Sequence, residues 1–460
     1  MKKTKKGRLQ IQRLKYKTKR YSIREGIFAS AKESLGGAYL SPFAIAINSS
    51  NSLVAMLTSI TGLVDPISQI FGSKLIKKYP RKKILLKTVL LESLMWIPFI
   101  AIAILYYQGY FISLLPFLLL FFFGIYSIFK GLGHPAWFSW MGDLVEEKNR
   151  GRWFSKRNLV IGFTSVIFAI SAAFFLDYFK KNNLTMMGFA ILFSLALFFR
   201  LISWKTFKKQ YEPKIKLKES DYFSLGDFIS KSLKTNFGRI TLFRFLFTFS
   251  ATISGSLLTV YLLRYLEMSY IIYMVVIFSG TIFALMVIEL WGKFADKYGS
   301  YRLIGVLSLL LPIVPFLWIL NDNPFYLIFV PSLISGISWA GLHLAENNFI
   351  YDNVRPQKRG LAISYYNMFW GAGVFLGAMT GAILIKFLKL NWIEPIIAIF
   401  IISGILEMAV YFWGIPKMWE RKHKSKLNSN FWKEFLFKQA KPTFHEEIHE
   451  IMSIRKYLRE

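Results

Sequence analysis

A chain of 460 residues that is 54% hydrophobic, with 45 phenylalanines and a mean hydropathy of +0.40, is too apolar for an ordinary soluble protein. Its formal charge of +32 would suit nucleic acid, but nothing specific to RNA or DNA recognition accompanies the basic residues. The absence of cysteine excludes a disulfide framework and a Cys-ligated metal site.

In chain order, a basic tail over 1–22 comes first. Apolar runs of roughly 20 residues follow, the length that crosses a hydrocarbon core about 30 Å thick. Twelve are expected, near 24–48, 51–73, 83–107, 112–140, 156–177, 185–204, 241–264, 269–292, 302–320, 325–350, 361–386 and 391–414. The first six make a bundle over 23–204 and the last six a bundle over 241–416. Between them, the polar linker 205–240 carries Phe223, Leu225, Phe228, Ile229 and Leu233 at near-helical spacing, which predicts a short helix on the membrane surface. After Pro416 the basic tail 417–460 predicts another, around Trp432, Phe435, Leu436 and Phe437. The expected fold is an all-α membrane protein, with twelve transmembrane helices in two pseudo-symmetric six-helix bundles.

Charge alternates from loop to loop. The N-terminal tail and the loops 77–83, 148–157, 205–218, 293–302 and 355–359 are basic, whereas those near 49–51, 108–110, 267–269 and 321–323 carry no Lys or Arg. Lys180, Lys181, Lys386 and Lys389 are the exceptions. The positive-inside rule then places both termini in the cytoplasm of a multi-pass protein, expected in the plasma membrane. The polybasic ends suit anionic lipid, at about 1 kcal/mol per residue close to the surface. The first span, which contains Lys32 and Glu33, does not read as a cleavable signal.

A D-x-V-x4-R-G signature occurs twice, from Asp143 to Arg150-Gly151 and from Asp352 to Arg359-Gly360. The offset, 352 − 143 = 209, also carries His134 onto His343, Gly162 onto Gly371 and Ala169 onto Ala378, so the chain is a duplication. The Asp143/Arg150 and Asp352/Arg359 pairs, at the cytoplasmic ends of spans four and ten, read as gate pairs that bridge to the following helix. A second element recurs at an offset of 292 − 73 = 219: Ser73-Lys-Leu-Ile-Lys77-Lys-Tyr-Pro80-Arg, and Gly292-Lys-Phe-Ala-Asp296-Lys-Tyr-Gly299-Ser-Tyr-Arg302. Gly292 and Gly299 permit a tight turn and close helix approach, and Asp296 can face a helix N-terminus or an arginine.

The second copy resembles the G-x-L-A-D-[RK]-x-G loop of the major facilitator superfamily, and with the twelve runs and the acidic-to-Arg-Gly loops the resemblance covers roughly residues 22 to 416. The region from Pro135 to Asn158 resembles a prokaryotic subgroup whose substrate is not defined. The resemblance implies alternating access between the halves, with Asp296 latched to Arg302 or Arg359 while the carrier faces outward. The first copy departs, with Ser73, Lys77 and Pro80 in place of Gly, Asp and Gly. No P-E-S-P-R run of sugar porters and no G-P-x-x-G-G run of drug antiporters is present. Gly371, Gly373, Gly377 and Gly381 in span eleven read as helix-packing positions.

A charge at mid-bilayer costs roughly 2.5–3.5 kcal/mol on the insertion scale, so intramembrane ionisable residues are candidates for function. In the fold the resemblance implies, spans one, four, seven and ten line the cavity. The candidate cavity set is Lys32, Glu33, Lys130, His134, Trp137, Trp339, His343, Glu346 and Asn347. His134 and His343 each stand nine residues from the conserved-register aspartate, about 13 Å along a helix at 1.5 Å per residue. Lys130, His134 and Trp137 share one helix face, as do Trp339, His343 and Glu346. The set can bind an anionic or zwitterionic solute and carry a proton; alternatively the histidines and Trp137 hydrogen-bond between helices. Lys32 and Glu33, being adjacent, cannot both face the cavity centre; Glu33 is the favoured proton carrier. Asp65, Glu92 and Glu407 read as buried structural pairs.

The expected function is a secondary transporter of a small solute, proton-coupled, working as a monomer without cofactor, metal or nucleic acid. A passive facilitator or a transport-inactive receptor of the same fold is the alternative. No H-E-x-x-H pair and no P-loop is present, which argues against an enzyme or an ATP-driven pump.

Overall fold

The computed structural model describes residues 5–145, 150–213, 235–354, 359–390 and 392–419, and among these every regular element is helical. Eleven helices are long and apolar enough to cross a membrane: Asn51–Ile76, Arg81–Tyr107, Leu115–Leu144, Arg157–Lys181 and Thr185–Lys208, then Asn236–Tyr265, Tyr270–Tyr298, Ser300–Leu320, Pro324–Ile350, Ala362–Phe387 and Pro395–Lys417. These are spans two to twelve. Span one is the helix Lys5–Leu35 continued by Leu40–Ala46. Its charges, Arg20, Arg24, Glu25, Lys32 and Glu33, keep its hydropathy below that of the others.

Local chemistry sets the ends. Ser50 caps span two by accepting from Leu53 N at 3.3 Å. Tyr79 is extended before Pro80, whose ring disfavours a helical predecessor, and span three starts at Arg81. Asn323 caps span ten, with Pro324 at the first helical position. Span one begins far upstream of residue 24, because no Gly or Pro interrupts the residues between Arg8 and Gly26. The apolar run marked the lipid-length part, not the helix. At 1.5 Å per residue the 31-residue helix is about 46 Å long, more than one hydrocarbon core.

Spans one and seven are broken. Span one stops at Leu35 and restarts after Gly36 and a short 3-10 turn, Gly37–Tyr39. A Cβ on Gly36 would strike the Trp96 ring. Span seven stops at Gly255, then runs on through Leu258–Val260 and a π turn, Tyr261–Tyr265. Gly36 and Gly255 differ by 219, the offset of the loop repeat, so both halves break their first helix at the same place.

Two compact units emerge. Unit 1 comprises 1–219, 255–274 and 374–388; unit 2 comprises 220–254, 275–373 and 389–460. They are drawn differently from a cut at the linker, since unit 1 takes two segments from the second half. Inside unit 1, Arg264 donates to Asn51 Oδ1 and, at 2.9 Å, to Ser49 O. Asp177 accepts from the Tyr270 and Ile271 amides, both at 2.9 Å, and so caps the N-terminus of span eight. Its core is an aromatic cluster of Trp96, Phe99, Tyr126, Phe43, Phe189 and Phe193. Unit 2 is built around Phe243, Phe247, Trp291, Phe294, Leu307 and Phe349. A Cβ at Gly373 would meet Phe245 O at 2.5 Å, which makes this span-eleven glycine a close-packing position against span seven. Both expected interfacial helices fall on residues outside the described set.

Candidate functional site

In unit 1 the break in span one sets Lys32 and Glu33 against spans three, four and six. Lys32 is 4% exposed and donates to Glu33 Oε2 at 2.7 Å, Glu92 Oε1 at 2.9 Å and the Tyr126 hydroxyl at 2.9 Å. Arg200 binds the other Glu92 oxygen through Nε at 3.1 Å and through a second nitrogen, a bidentate clamp on a carboxylate that is 2% exposed. A third contact reaches Glu25 at 3.8 Å. Glu25 also accepts from Ser203 Oγ at 3.0 Å and from Arg157 at 3.4 Å, while the Arg157 guanidinium stacks 4.6 Å over Trp137. Buried charges persist in this form because each carboxylate has a cation and each cation a carboxylate.

At the edge of this locked network lies a looser pair. Lys130 reaches Glu33 Oε1 at 3.5 Å, and the two side chains are 42% and 45% exposed. An exposed pair of this kind is worth about 0–1 kcal/mol, so it can open at little cost. Lys130 borders two cavities. One of ≈ 200 Å³ is lined by Glu33, Thr58, Thr61 and Tyr126. The other, of ≈ 240 Å³, is lined by His134, Trp137, Arg157, Arg200 and Glu92. Glu33 thus faces a cavity and Lys32 the bundle interior, as their adjacency on one helix requires. His134 is exposed, stacks 6.0 Å from Phe138 and has no hydrogen bond among the described residues.

Unit 2 holds a smaller constellation. Arg244 of span seven, 2% exposed, meets the Glu346 carboxylate at 3.3 Å and His343 Nδ1 at 3.3 Å, and lies 5.0 Å over the Trp339 ring. Trp339 and His343 stack at 5.7 Å, and the imidazole is 52% exposed. Asn347, one residue beyond Glu346, is exposed. The two offsets expose an internal symmetry. Glu25 corresponds to Arg244 by 219, and Trp137 and Arg157 correspond to Glu346 and Tyr366 by 209. The buried pairs Glu25–Arg157 and Arg244–Glu346 therefore share one repeat position, on spans one and seven, with opposite charge there and partners from different helices.

At the basic ends, Asp143 has a partner from span three. Asp143 accepts from Arg81 Nη1 at 2.7 Å. Arg81, fully buried, also donates to Ser139 O at 2.8 Å, Pro213 O at 3.0 Å and Glu212 at 3.3 Å. Arg150 and Arg359 open the helices after spans four and ten, and their side chains lie outside the described set. Asp296 is exposed; Arg302 and Asp352 are partly buried. Gly299 takes φ +100°, a value L side chains rarely adopt, and so accounts for the tight turn. Gly292 does not mediate a close approach, since a Cβ there would meet nothing.

Sequence reasoning missed Glu25, Arg81, Arg157, Arg200 and Arg244. Arg200 and Arg244 lie inside apolar runs, where the cost of an intramembrane charge was signal enough. Of the three expected buried pairs, Glu92 is one. Asp65 and Glu407 have no cation within ion-pair distance among the described residues.

These features define a helical transporter with broken helices and buried charge in each half. The Major Facilitator Superfamily model matches residues 26–288 and 240–445, so the chain belongs to this superfamily of transporters and is not an enzyme. No curated protein matches the sequence. Among solved structures, a bacterial homologue of the iron transporter ferroportin in an inward-facing state aligns with a TM-score of 0.65 at 15% identity, over 87% of this chain and 99% of that one. The nucleoside transporter NupG aligns with 0.63 at 13%, over 88% and 100%. A bacterial homologue of the human lysosomal transporter Spinster aligns with 0.57 at 12%, over 89% and 99%. Identities this low carry the fold and not the cargo.

Proposed function

We propose that the protein is a proton-coupled secondary carrier of a small anionic or zwitterionic solute, working by alternating access as a monomer in the plasma membrane with both termini cytoplasmic. The observation that carries this reading is the division of the unit 1 charge network. Lys32, Glu92, Arg200 and Glu25 are locked, whereas Lys130 faces two cavities and meets Glu33 at 3.5 Å, and the cavity-facing Glu33 keeps Lys32 on its other oxygen at 2.7 Å. A solute carboxylate can take the place of Glu33 on Lys130, and a solute ammonium the place of Lys130 on Glu33. Such an exchange releases Glu33 to gain or lose a proton, which gives a direct route to coupling. In unit 2, the exposed His343 beside Arg244 offers a second anion contact. Superfamily membership supports transport, and the loop charges support the orientation.

The test is thermal stabilisation of the purified protein by a panel of carboxylates, amino acids, nucleosides and sugars, with Lys130→Gln, His134→Ala and His343→Ala in parallel. A ligand that stabilises the native protein but not Lys130→Gln supports the reading. Stabilisation that survives in all three variants contradicts it.

A further inference from the structure

Glu407, midway along span twelve, is 2% exposed and belongs to no ion pair among the described residues. Its polar neighbour is Ser403 Oγ, 3.5 Å from Oε1. Ser403 donates to Ser250 O at 2.7 Å, and Ser254 Oγ donates to Ser403 Oγ at 2.8 Å. All four residues lie in unit 2 and are at most 4% exposed. The cluster abuts Gly255, where span seven breaks.

The charged and titratable groups on the elements packed against span twelve are engaged elsewhere. Arg239 donates to Lys417 O, Arg244 pairs with Glu346, and the Tyr301 hydroxyl donates to Ile415 O. Arg302 opens span nine, and Tyr411 and Lys417 lie on span twelve beyond Glu407. Among the described residues no cation reaches the carboxyl group.

A hydroxyl has one proton and two lone pairs. Ser403 spends its proton on Ser250 O and one lone pair on Ser254. What remains towards Glu407 is a lone pair. A carboxylate there would face an acceptor with no counter-charge in a site without water access, at a cost of several kcal/mol. A carboxylic acid completes the network by donating to Ser403. We propose that Glu407 is a proton-binding site: it holds a proton in this conformation and exchanges it with water when the broken span seven moves. The proposal rests on the transporter reading for its purpose but not for its test.

Infrared spectroscopy of the full chain in lipid at neutral pH reads the proton directly. The expected result is a protonated-carboxyl carbonyl band that shifts in heavy water and disappears in Glu407→Gln. That variant keeps a donor towards Ser403 and so keeps the fold, checked by monodisperse elution; Glu407→Asp is the second variant and retains a displaced band. Absence of the band overturns the proposal, as does a band that persists in Glu407→Gln. A Glu407-dependent band that never shifts in heavy water reports a sealed structural proton and overturns it as well. None of these outcomes depends on finding the solute, so failure here is separable from failure of the transport reading.

Discussion

Glu92→Gln removes one charge from the centre of the unit 1 network without changing its volume. Glu92 accepts from Lys32 at 2.9 Å and from Arg200 through two nitrogens, and all three side chains are largely buried. Breaking a buried pair by removing one partner costs about 3–5 kcal/mol. Lys32 retains Glu33 at 2.7 Å and Arg200 retains Glu25 at 3.8 Å, so the lower end, about 3 kcal/mol, is expected. At roughly 2–4 °C per kcal/mol for a unit of this size, the melting temperature should fall by about 6–12 °C. The assay is thermal unfolding of purified protein in one detergent, scored by fluorescence and by loss of monodispersity. A double variant, Glu92→Gln with Lys32→Gln, also removes a buried cation that has lost one of its two carboxylates and should recover several degrees, giving a coupling energy of about 1 kcal/mol or more. A single variant within about 2 °C of the native protein, roughly 1 kcal/mol at most, would refute the locked network. Strict additivity in the double variant would do so equally.

The two helix-break glycines should respond in opposite ways: Gly36→Ala drives a methyl into the buried Trp96 ring and should cost about 1–3 kcal/mol, whereas Gly255→Ala meets open space and should leave the melting temperature near native. Asp177→Ala uncaps span eight, which loses two amide contacts; a loss of about 0.5–2 kcal/mol should appear in the same melts. Arg81→Lys keeps the charge but not the fork that serves Asp143, Ser139, Glu212 and Pro213, so about 1–3 kcal/mol should be lost, and a result equal to native would show that those contacts are incidental. Glu33→Gln leaves the buried Lys32 with one carboxylate, Glu92, and should cost about 1–3 kcal/mol while abolishing any ligand-induced stabilisation.

Span positions were legible because twenty apolar residues have one stable use, and the observed boundaries mostly lie within a few residues of the expected ones. Helix ends were less so: span one runs back to Lys5 because basic residues are good helix formers, and hydropathy is blind to that. The breaks at Gly36 and Gly255 obey the loop repeat's offset, but no motif marked them in the sequence. Ion-pair partners were not legible. Asp143 meets Arg81, 62 residues away, and such a contact depends on which helices touch. Arg200 and Arg244 were visible as intramembrane charges and passed over in favour of histidines. The same logic separates Glu92 from Glu407: both are buried carboxyls in apolar runs, and only packing decides that one meets two cations and the other a single serine hydroxyl.

Charge movement across a supported bilayer bearing reconstituted protein tests the central claim most directly. On rapid addition of compounds from the anionic and zwitterionic panel, at least one should give a saturable transient current that is lost in Lys130→Gln and retained in Lys417→Gln. Absence of current and of flux for every compound, or a current indifferent to Lys130, would contradict the account.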